Sequence, residues 1–428
     1  MESMVLCPNC FQKGSYVRGV CESCGYVQEE RPAYALPEGY VLAKKYAIGR
    51  VLEQDEVMIT YLVQDLETEV IQTIREYFPA AWVNRAADGV HVKLAVPEKE
   101  EAFRYGLDVF ENENKILAAL GEDTIVARTK DFLKKNDTAY AVSERIDGET
   151  LAKHMQTVGK PYSVEEAGRI IRKIALEIKD LHALGLLHRY IGPDCARIKA
   201  DGSVAMVDFE ATKQYVLGEV HGLQESLKVG FAPSEQYAGT DGQGTWTDVY
   251  ALAATYYYML TGKLPVSAVE RSKGALQPSA QMQNKAVPDR VSAVIDKAMA
   301  VMYWERCQTM DQFIQELNEA EGVQEMHPYL RLKVGTKMRQ WKVEEDRDIR
   351  VGRYKSDCEI CVEGDSVSRH HCTIHYDSRR NIFLVKDVSA NGTFTARGLV
   401  GRGRVAEVAP GERIYLVSNK YELYLEVK

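Results

Sequence analysis

Four cysteines near the start of the chain have the types and spacing of metal ligands: Cys7, Cys10, Cys21 and Cys24. They form two Cys-x2-Cys pairs, and each pair lies in a turn-forming stretch where two thiolates can point at one ion. Four thiolates make a closed tetrahedral zinc site, which is structural and not catalytic. A redox-active dithiol pair and unliganded thiols are the alternatives. The spacing favours Zn²⁺, and we expect residues 1–30 to fold around it.

A second group of chemically informative residues lies in the middle of the chain. A His-Arg pair at positions 188–189 is followed by a strand and then by an Asp-Phe turn that begins at Asp208. This arrangement resembles the catalytic and metal-binding loops of bacterial serine/threonine protein kinases. That family places an Asp after His-Arg, an Asn five residues further on, and a Gly after Asp-Phe. Here those positions are occupied by Tyr190, Cys195 and Glu210.

These replacements remove the groups that the family uses for phosphoryl transfer. A phenol, with an ordinary pKa of about 10, cannot accept a substrate proton near neutral pH as a carboxylate does. A thiol is a poor ligand for Mg²⁺, which prefers oxygen. The glycine-rich loop of the family corresponds to residues 53–58, which contain no glycine and three acids. Those acids would repel the phosphates of ATP.

Several family positions that position the nucleotide or support the fold remain filled. Arg75 aligns with the ATP-contacting lysine, Glu113 with the helix glutamate that pairs with it, and Asp208 with the metal-binding aspartate. Arginine keeps the charge but is wider and less compliant than lysine. The resemblance therefore implies that the Arg75–Glu113 pair survives as a structural link. The positions that stabilise the large lobe are filled by Glu235, Asp248 and Arg306.

Three sequence blocks occur in order near the end of the chain. They are a Val-Gly-Arg block ending at Arg353, a Ser-Arg-His-His block beginning at Ser368, and an Asn-Gly-Thr block beginning at Asn391. Together they resemble the forkhead-associated (FHA) domain, a family of phosphothreonine readers. By resemblance Arg353 and Ser368 bind the phosphate with Arg369 nearby, His371 braces the loop, and Asn391 binds the peptide backbone. The alternative is an FHA fold with an inactive site.

Four further metal-capable residues lie in this last region: Cys358, Cys361, Cys372 and His375. Cysteines in strands usually act as small buried hydrophobic residues. We therefore favour a packing role over a second metal site.

Periodicity indicates the elements that position these residues. Residues 100–120 predict a helix that carries Glu113, and Ser163-x-x-Glu166 is a capping box that opens another helix. Residues 81–99 predict a small hairpin insertion. After residue 329 the pattern changes to alternating strands, which predicts an all-β sandwich.

The predicted fold is multidomain: a small zinc ribbon, an α+β bilobal kinase-like fold and a β-sandwich. The expected boundaries are 1–30 for the ribbon, 31–39 for a linker, 40–320 for the kinase-like domain, 321–328 for a second linker and 329–428 for the FHA domain. With 45% hydrophobic and 27% charged residues, the chain is not a disordered protein. No apolar run approaches the ~20 residues that span a bilayer, and no secretory signal is visible, so we expect a cytoplasmic protein.

These features favour a signalling scaffold over an enzyme. In this interpretation a pseudokinase is coupled to a phosphothreonine reader. The expected partners are phosphothreonine-containing proteins that a separate active serine/threonine kinase has phosphorylated. We expect no nucleic-acid partner and no membrane span. The cofactor expected is structural Zn²⁺; the substitutions argue against ATP and Mg²⁺. An atypical kinase with weak phosphotransfer and a nucleotide-sensing pseudokinase are the alternatives.

Overall fold

The computed structural model describes every residue except 1–5, 13–15, 18, 122–123, 208, 210, 221–226, 239–241, 324–326, 335–336, 345–346, 379, 418–420 and 428. The chain divides into two compact units, Met1–Glu321 and Gly322–Lys428. The division falls where a helix ends at Glu321 and the next strand begins at Pro328. Within the described ranges, no helix is both long enough and apolar enough to cross a membrane.

The described residues between 6 and 30, here called the cysteine module, contain a hairpin of β1 (Tyr16–Val17) and β2 (Val20–Cys21). The module is not isolated, because the buried ring of Phe11 packs against Ala47 and Leu62 of the following sheet. So short a segment has little core of its own, and this contact adds apolar burial to it.

Residues 31–39, which we expected to be a linker, lie partly in the protein interior. Ala35 and Leu36 are buried in the core of the small lobe. The backbone N–H of Leu36 donates to the hydroxyl of Tyr61 at 3.0 Å, and Arg85 donates to the carbonyl of Tyr34. Proline and glycine in this stretch predict irregular backbone, but its two apolar residues attach it to the sheet.

The small lobe is a six-stranded antiparallel sheet with one long helix. The sheet has the order β3-β4-β5-β6-β10-β9, and the predicted hairpin insertion is present as β7 paired with β8. Helix α1 starts and ends within one residue of the predicted range. The elements are β3 (Val41–Leu42), β4 (Tyr46–Gln54), β5 (Met58–Asp65), β6 (Ile71–Tyr77), β7 (Val83–Arg85), β8 (Val92–Leu94), α1 (Glu100–Ala119), β9 (Thr129–Lys135) and β10 (Thr138–Glu144).

The large lobe is mainly helical and has a continuous apolar core. Helix α3 begins with the predicted capping box, in which Ser163 accepts from the backbone of Glu166 and the Glu166 side chain accepts in return. A three-stranded sheet, β11-β12-β13, carries the loops that face the small lobe. The elements are β11 (Glu149–Thr150), α2 (Leu151–Val158), α3 (Val164–Ala183), β12 (Ala196–Ile198), β13 (Val204–Met206), α4 (Ala211–Val220), α5 (Ser234–Tyr237), α6 (Thr245–Thr261), α7 (Ala268–Ser272), α8 (Ala280–Gln283), α9 (Asp289–Ala298) and α10 (Met310–Glu321).

A buried ion pair and a buried carboxylate that accepts backbone hydrogen bonds fix the loops of the large lobe. Arg306 forms a two-pronged ion pair with Glu235, at 2.7 and 3.0 Å. Asp248 accepts from the backbone N–H groups of His188 and Arg189 at 2.8 and 2.7 Å. Burial alone would raise the pKa of Asp248, but hydrogen bonds, including that of His182, hold it below its usual range. The bilobal α+β fold expected from the sequence is confirmed.

The second unit is the predicted all-β sandwich. Its two sheets have the strand orders β15-β14-β24-β23-β20-β21 and β17-β16-β18-β19-β22, and apolar residues alternate into one core between them. The elements are β14 (Pro328–Val334), β15 (Lys337–Lys342), β16 (Asp348–Gly352), β17 (Ile360–Cys361), β18 (Cys372–Asp377), β19 (Ile382–Asp387), β20 (Thr393–Thr395), β21 (Gly398–Leu399), β22 (Val405–Val408), β23 (Arg413–Leu416) and β24 (Tyr421–Val427).

Candidate functional site

The four cysteines of the cysteine module converge on one point. The Sγ atoms of Cys7 and Cys24 are 3.8 Å apart, as are those of Cys10 and Cys21, and all four lie within 4.8 Å of one another. A tetrahedral ion with Zn–S bonds of about 2.3 Å requires sulfur–sulfur distances of about 3.8 Å. The donor set and its spacing therefore fit Zn²⁺.

Outer groups support this cluster. The Asn9 side chain donates to Cys24 Sγ at 3.6 Å, and this hydrogen bond lowers the pKa of the Cys24 thiol. A lower pKa favours the thiolate, which is the form that binds metal. Cys358, Cys361, Cys372 and His375 do not form a comparable group in the part of the chain that the structure describes.

In the cleft between the lobes, Tyr190 lies beside two lysines. Lys228 Nζ sits 3.8 Å from the centre of the Tyr190 ring, and Lys213 Nζ lies 5.5 Å from it. Lys228 Nζ is also 4.0 Å from a carboxylate oxygen of Asp194. In cation–π contacts of this kind the ammonium group is attracted to the negative face of the ring. The position expected to hold a proton-accepting carboxylate is thus a half-buried phenol covered by a cation.

The loop at the position of the glycine-rich loop contacts Lys213, one of these two lysines. Asp55 Oδ2 forms an ion pair with Lys213 Nζ at 3.0 Å, which links the small lobe to helix α4. Asp55 Oδ1 accepts from the backbone N–H groups of Val57 and Met58 at 2.7 and 2.9 Å. These bonds fix the turn through a side chain, where a phosphate-binding loop would leave its N–H groups free for the ligand.

Arg75 and Glu113 form the expected pair, with their closest atoms 3.4 Å apart. Arg75 also donates to the carbonyl of Phe209 at 3.1 Å. Thr212, at the start of α4, donates to Glu113 through both its backbone N–H and its hydroxyl, at 3.2 and 3.1 Å. Burial raises the pKa of Glu113, against the opposing effects of Arg75 and Thr212. The pair is therefore tied into the packing of α1 against α4.

Cys195 has a structural environment. It is buried, and its thiol donates to the carbonyl of Gly192 at 3.0 Å while accepting from the Gly192 N–H at 3.3 Å. The thiol thus closes a tight turn in the loop. Asp208 and Glu210, the other two expected positions here, lie outside the described residues.

His188 is enclosed in the same loop. Its ring packs against that of Phe209 in a tilted arrangement with centroids 4.4 Å apart, and burial lowers the pKa of His188 to about 4. A neutral imidazole in this position packs the loop against Phe209. We assign it a structural contribution.

A cavity of about 380 Å³ occupies the expected nucleotide position. Its lining includes apolar groups, such as Leu52 and Ile146, and a high share of charged ones. The charged residues are Arg50, Glu53, Arg75, Glu144, Arg145, Asp147 and Arg197. Ligand pockets are predominantly apolar with a few polar anchors, and the lining of this cavity is more charged than that.

Three loops of the sandwich bring Arg353, Ser368, Arg369 and Asn391 to one end. The backbone N–H of Arg353 donates to the carbonyl of Ser368 at 3.0 Å, and Tyr354 donates to that of Arg369 at 3.2 Å. Both arginines are exposed, and within the described residues neither guanidinium has an ion-pair partner. Two forked cations are thus presented on a fixed backbone.

Hydrogen bonds organise Ser368 and Asn391 before any ligand binds. Ser368 Oγ accepts from the N–H of Ala390 at 3.0 Å, which leaves the hydroxyl proton to donate elsewhere. The Asn391 side chain donates to the carbonyl of Ser366 at 2.7 Å, which leaves its oxygen and a second N–H exposed.

His371 braces the loops from beneath, as the resemblance implied. Its Nδ1 accepts from the N–H of Ser368 at 3.2 Å, and Nε2 lies 3.1 Å from the carbonyl of Gly392. The bond to Ser368 requires a proton on Nε2 and none on Nδ1. Burial lowers the pKa of His371, which favours this neutral tautomer.

The sequence did not single out Lys228 or pair Lys213 with Asp55. Both lysines lie in the segment after Asp208, where no motif gives a lysine a particular role. Their proximity to Tyr190 is a contact between segments separated in sequence, which has no local sequence signal.

Comparisons with known proteins identify the two domain families. A family model described as protein kinase domain matches residues 84–321, more than half of the chain, and one described as FHA domain matches 349–417. Serine/threonine-protein kinase F of Synechocystis sp. is 26% identical over 304 residues, covering 67% of this chain and 58% of its own length. Serine/threonine-protein kinase PrkC of Bacillus subtilis is 28% identical over 228 residues, covering 49% of this chain and 33% of its own length. The chain therefore spans less than two thirds of either relative.

Solved structures show the same fold. The apo form of PpkA-294 superposes with a TM-score of 0.59 at 26% identity, covering 67% of this chain and all of that one. The kinase domain of Mycobacterium tuberculosis PknI gives a TM-score of 0.50 at 22% identity, with coverage of 67% of this chain and all of that one. The second likeness shows the fold alone.

Proposed function

The chain belongs to the protein kinase family, and we propose that it is a signalling scaffold whose degenerate kinase domain is coupled to a phosphothreonine-reading FHA domain. Tyr190 is the observation that carries this proposal. It occupies the general-base position, its ring lies beneath Lys228, and its phenol cannot replace a carboxylate near neutral pH. Loss of the base alone costs about 10²–10⁴ in rate.

Other features of the cleft oppose phosphate binding. The Asp55–Lys213 pair connects the lobes close to Tyr190, and Glu53 and Asp55 add negative charge to the cavities on this side. Phosphoryl transfer depends on positioning and on electrostatic stabilisation of the phosphates, and Asp55 offsets the charge of Lys213, which could otherwise contribute to that stabilisation. We therefore propose that neither ATP nor Mg²⁺ is a cofactor of this domain.

The FHA domain supplies the binding activity in this proposal. Arg353 and Ser368 would bind the phosphate, Arg369 would add charge beside it, and Asn391 would bind the peptide backbone. The hydrogen bonds that already fix these loops reduce the ordering cost of binding. Because the kinase domain of this chain is degenerate, the phosphothreonine would come from a partner modified by a separate serine/threonine kinase.

A nucleotide titration of the full chain tests the kinase-domain part. Unfolding is followed by differential scanning fluorimetry with ATP, with and without Mg²⁺ or Mn²⁺. A ligand present at 100 times its Kd stabilises the folded state by about 2.7 kcal/mol, so binding would raise the Tm measurably. We expect no saturable shift. A zinc chelator is the positive control, because metal removal should lower the Tm of the same unit. A saturable, metal-dependent rise with ATP would contradict the proposal and favour a nucleotide sensor.

A further inference from the structure

We propose that the metal site of the cysteine module controls the conformation of the inter-lobe cleft, and that Arg50 links the two. The module packs on strand β4, which leads directly into the loop over the cleft. Zinc would order the module, the module would hold β4 at Gly49 and Arg50, and β4 would set the near wall of the cleft. In this proposal the presence or absence of the metal changes the conformation of the cleft without any contribution from the FHA domain.

Shape complementarity at Gly49 is the first observation. A Cβ on Gly49 would lie 2.3 Å from the carbonyl oxygen of Pro8, 2.6 Å from the Phe11 ring and 2.9 Å from the carbonyl oxygen of Leu62. Real Cβ atoms do not approach backbone oxygens so closely. The module therefore contacts β4 through a gap that only glycine leaves, next to the apolar contact of Phe11 with Ala47 and Leu62.

A polar chain from a metal ligand to β4 is the second observation. Asn9 donates to Cys24 Sγ at 3.6 Å and accepts from Arg50 Nε at 2.8 Å. The backbone N–H of Arg50 donates to the Pro8 carbonyl at 2.9 Å, and its guanidinium lies over the Tyr26 ring at 5.6 Å. Groups that orient metal ligands in this way are sensitive to whether the metal is present.

The position of Arg50 in the strand is the third observation. The pairing of β4 with β5 changes register between Ile48 and Val51 and again between Val51 and Glu53. At these irregular positions the strand does not rely on regular ladder hydrogen bonds, and the module supplies one instead. Arg50, Leu52 and Glu53 all contribute to the lining of the 380 Å³ cavity. Release of the module would therefore free the cavity wall nearest to it.

Hydrogen–deuterium exchange on the full chain tests this coupling. The first comparison is zinc-loaded protein against protein treated with a chelator. We expect exchange in β4 and β5 to accelerate about threefold or more after metal removal, with the FHA domain unchanged as an internal reference. Unchanged exchange in β4 and β5 would overturn the proposal, because the module would then be a passive attachment.

A glycine substitution separates the contact from the metal. Gly49→Ala should accelerate exchange in β4 and β5 while metal analysis still finds zinc bound. Gly121→Ala is the matched control, since no described atom lies within 4 Å of its added Cβ. Phe11→Ala is the decisive variant, because the Cβ of Gly49→Ala also meets the Leu62 carbonyl of β5 and would disturb the sheet directly. If Phe11→Ala leaves exchange in β4 and β5 at the parent level with zinc bound, the proposal is wrong.

Discussion

Replacement of Arg353 by alanine is the sharpest test of the peptide-binding surface. The Arg353 guanidinium is exposed and has no ion-pair partner among the described residues, so its removal breaks no internal ion pair. Its backbone N–H, which bonds to the Ser368 carbonyl at 3.0 Å, is retained in the variant. We therefore expect the folded loops to survive and the affinity for a phosphothreonine peptide to fall.

The magnitude follows from the bonds that would be lost. A charge-assisted hydrogen bond contributes about 1.5–3 kcal/mol. Since 1.4 kcal/mol is a factor of ten in Kd, Arg353→Ala should weaken binding by about 10- to 150-fold. Arg353→Lys should fall between parent and alanine, because it keeps the charge and loses the fork. The parent affinity should also decrease with salt, because the attraction is ionic.

The assay is a titration of a fluorescent phosphothreonine peptide, chosen from a peptide array, with the full chain. Arg339→Ala is the matched control, because Arg339 is an exposed arginine on strand β15, away from the three loops. The control should bind as the parent does. Equal binding by Arg353→Ala and the parent would refute the site assignment. Failure of the parent to bind any phosphopeptide would instead favour an FHA fold with an inactive site.

Three further outcomes are expected. Asn391→Ala should weaken phosphopeptide binding through the peptide backbone, so its defect should persist at high salt, and a salt-sensitive defect would contradict that role. Cys21→Ser should abolish the single Zn²⁺ expected at the four-cysteine cluster, as measured by metal analysis, and retention of zinc would contradict the ligand set. The free energy of unfolding, measured in urea, should fall as pH falls from about 6.5 towards 4, because the unfolded chain binds a proton at His188 that the folded chain excludes. A free energy that does not change over this pH range would contradict the lowered pKa of His188.

Much of the fold was predictable because local and global signals agree. The Ser163–Glu166 capping box placed the start of α3, and strict alternation after residue 329 indicated the sandwich. The segment 31–39 was the exception. Proline and glycine there indicated a linker, yet Ala35 and Leu36 are buried in the core of the small lobe. The hydrogen bond from the Leu36 N–H to the Tyr61 hydroxyl holds the segment there, and composition alone does not indicate this contact.

The candidate sites were predictable to the extent that they consist of motifs. The cysteine cluster and the Arg75–Glu113 pair lie as expected, because each follows from spacing or from alignment with family positions. Lys228 above Tyr190 was not foreseeable, since a contact between distant segments depends on the path of the chain.

A phosphotransfer measurement tests the central claim most directly. The full chain is incubated with γ-labelled ATP, Mg²⁺ or Mn²⁺ and a generic protein substrate, and labelled protein is quantified. The account predicts no transfer above a no-protein background, and none from Tyr190→Asp, because the acids at the cleft and the Asp55–Lys213 pair remain. Metal-dependent transfer by the parent that disappears in Asp208→Ala would contradict the account and show that the chain is an active kinase.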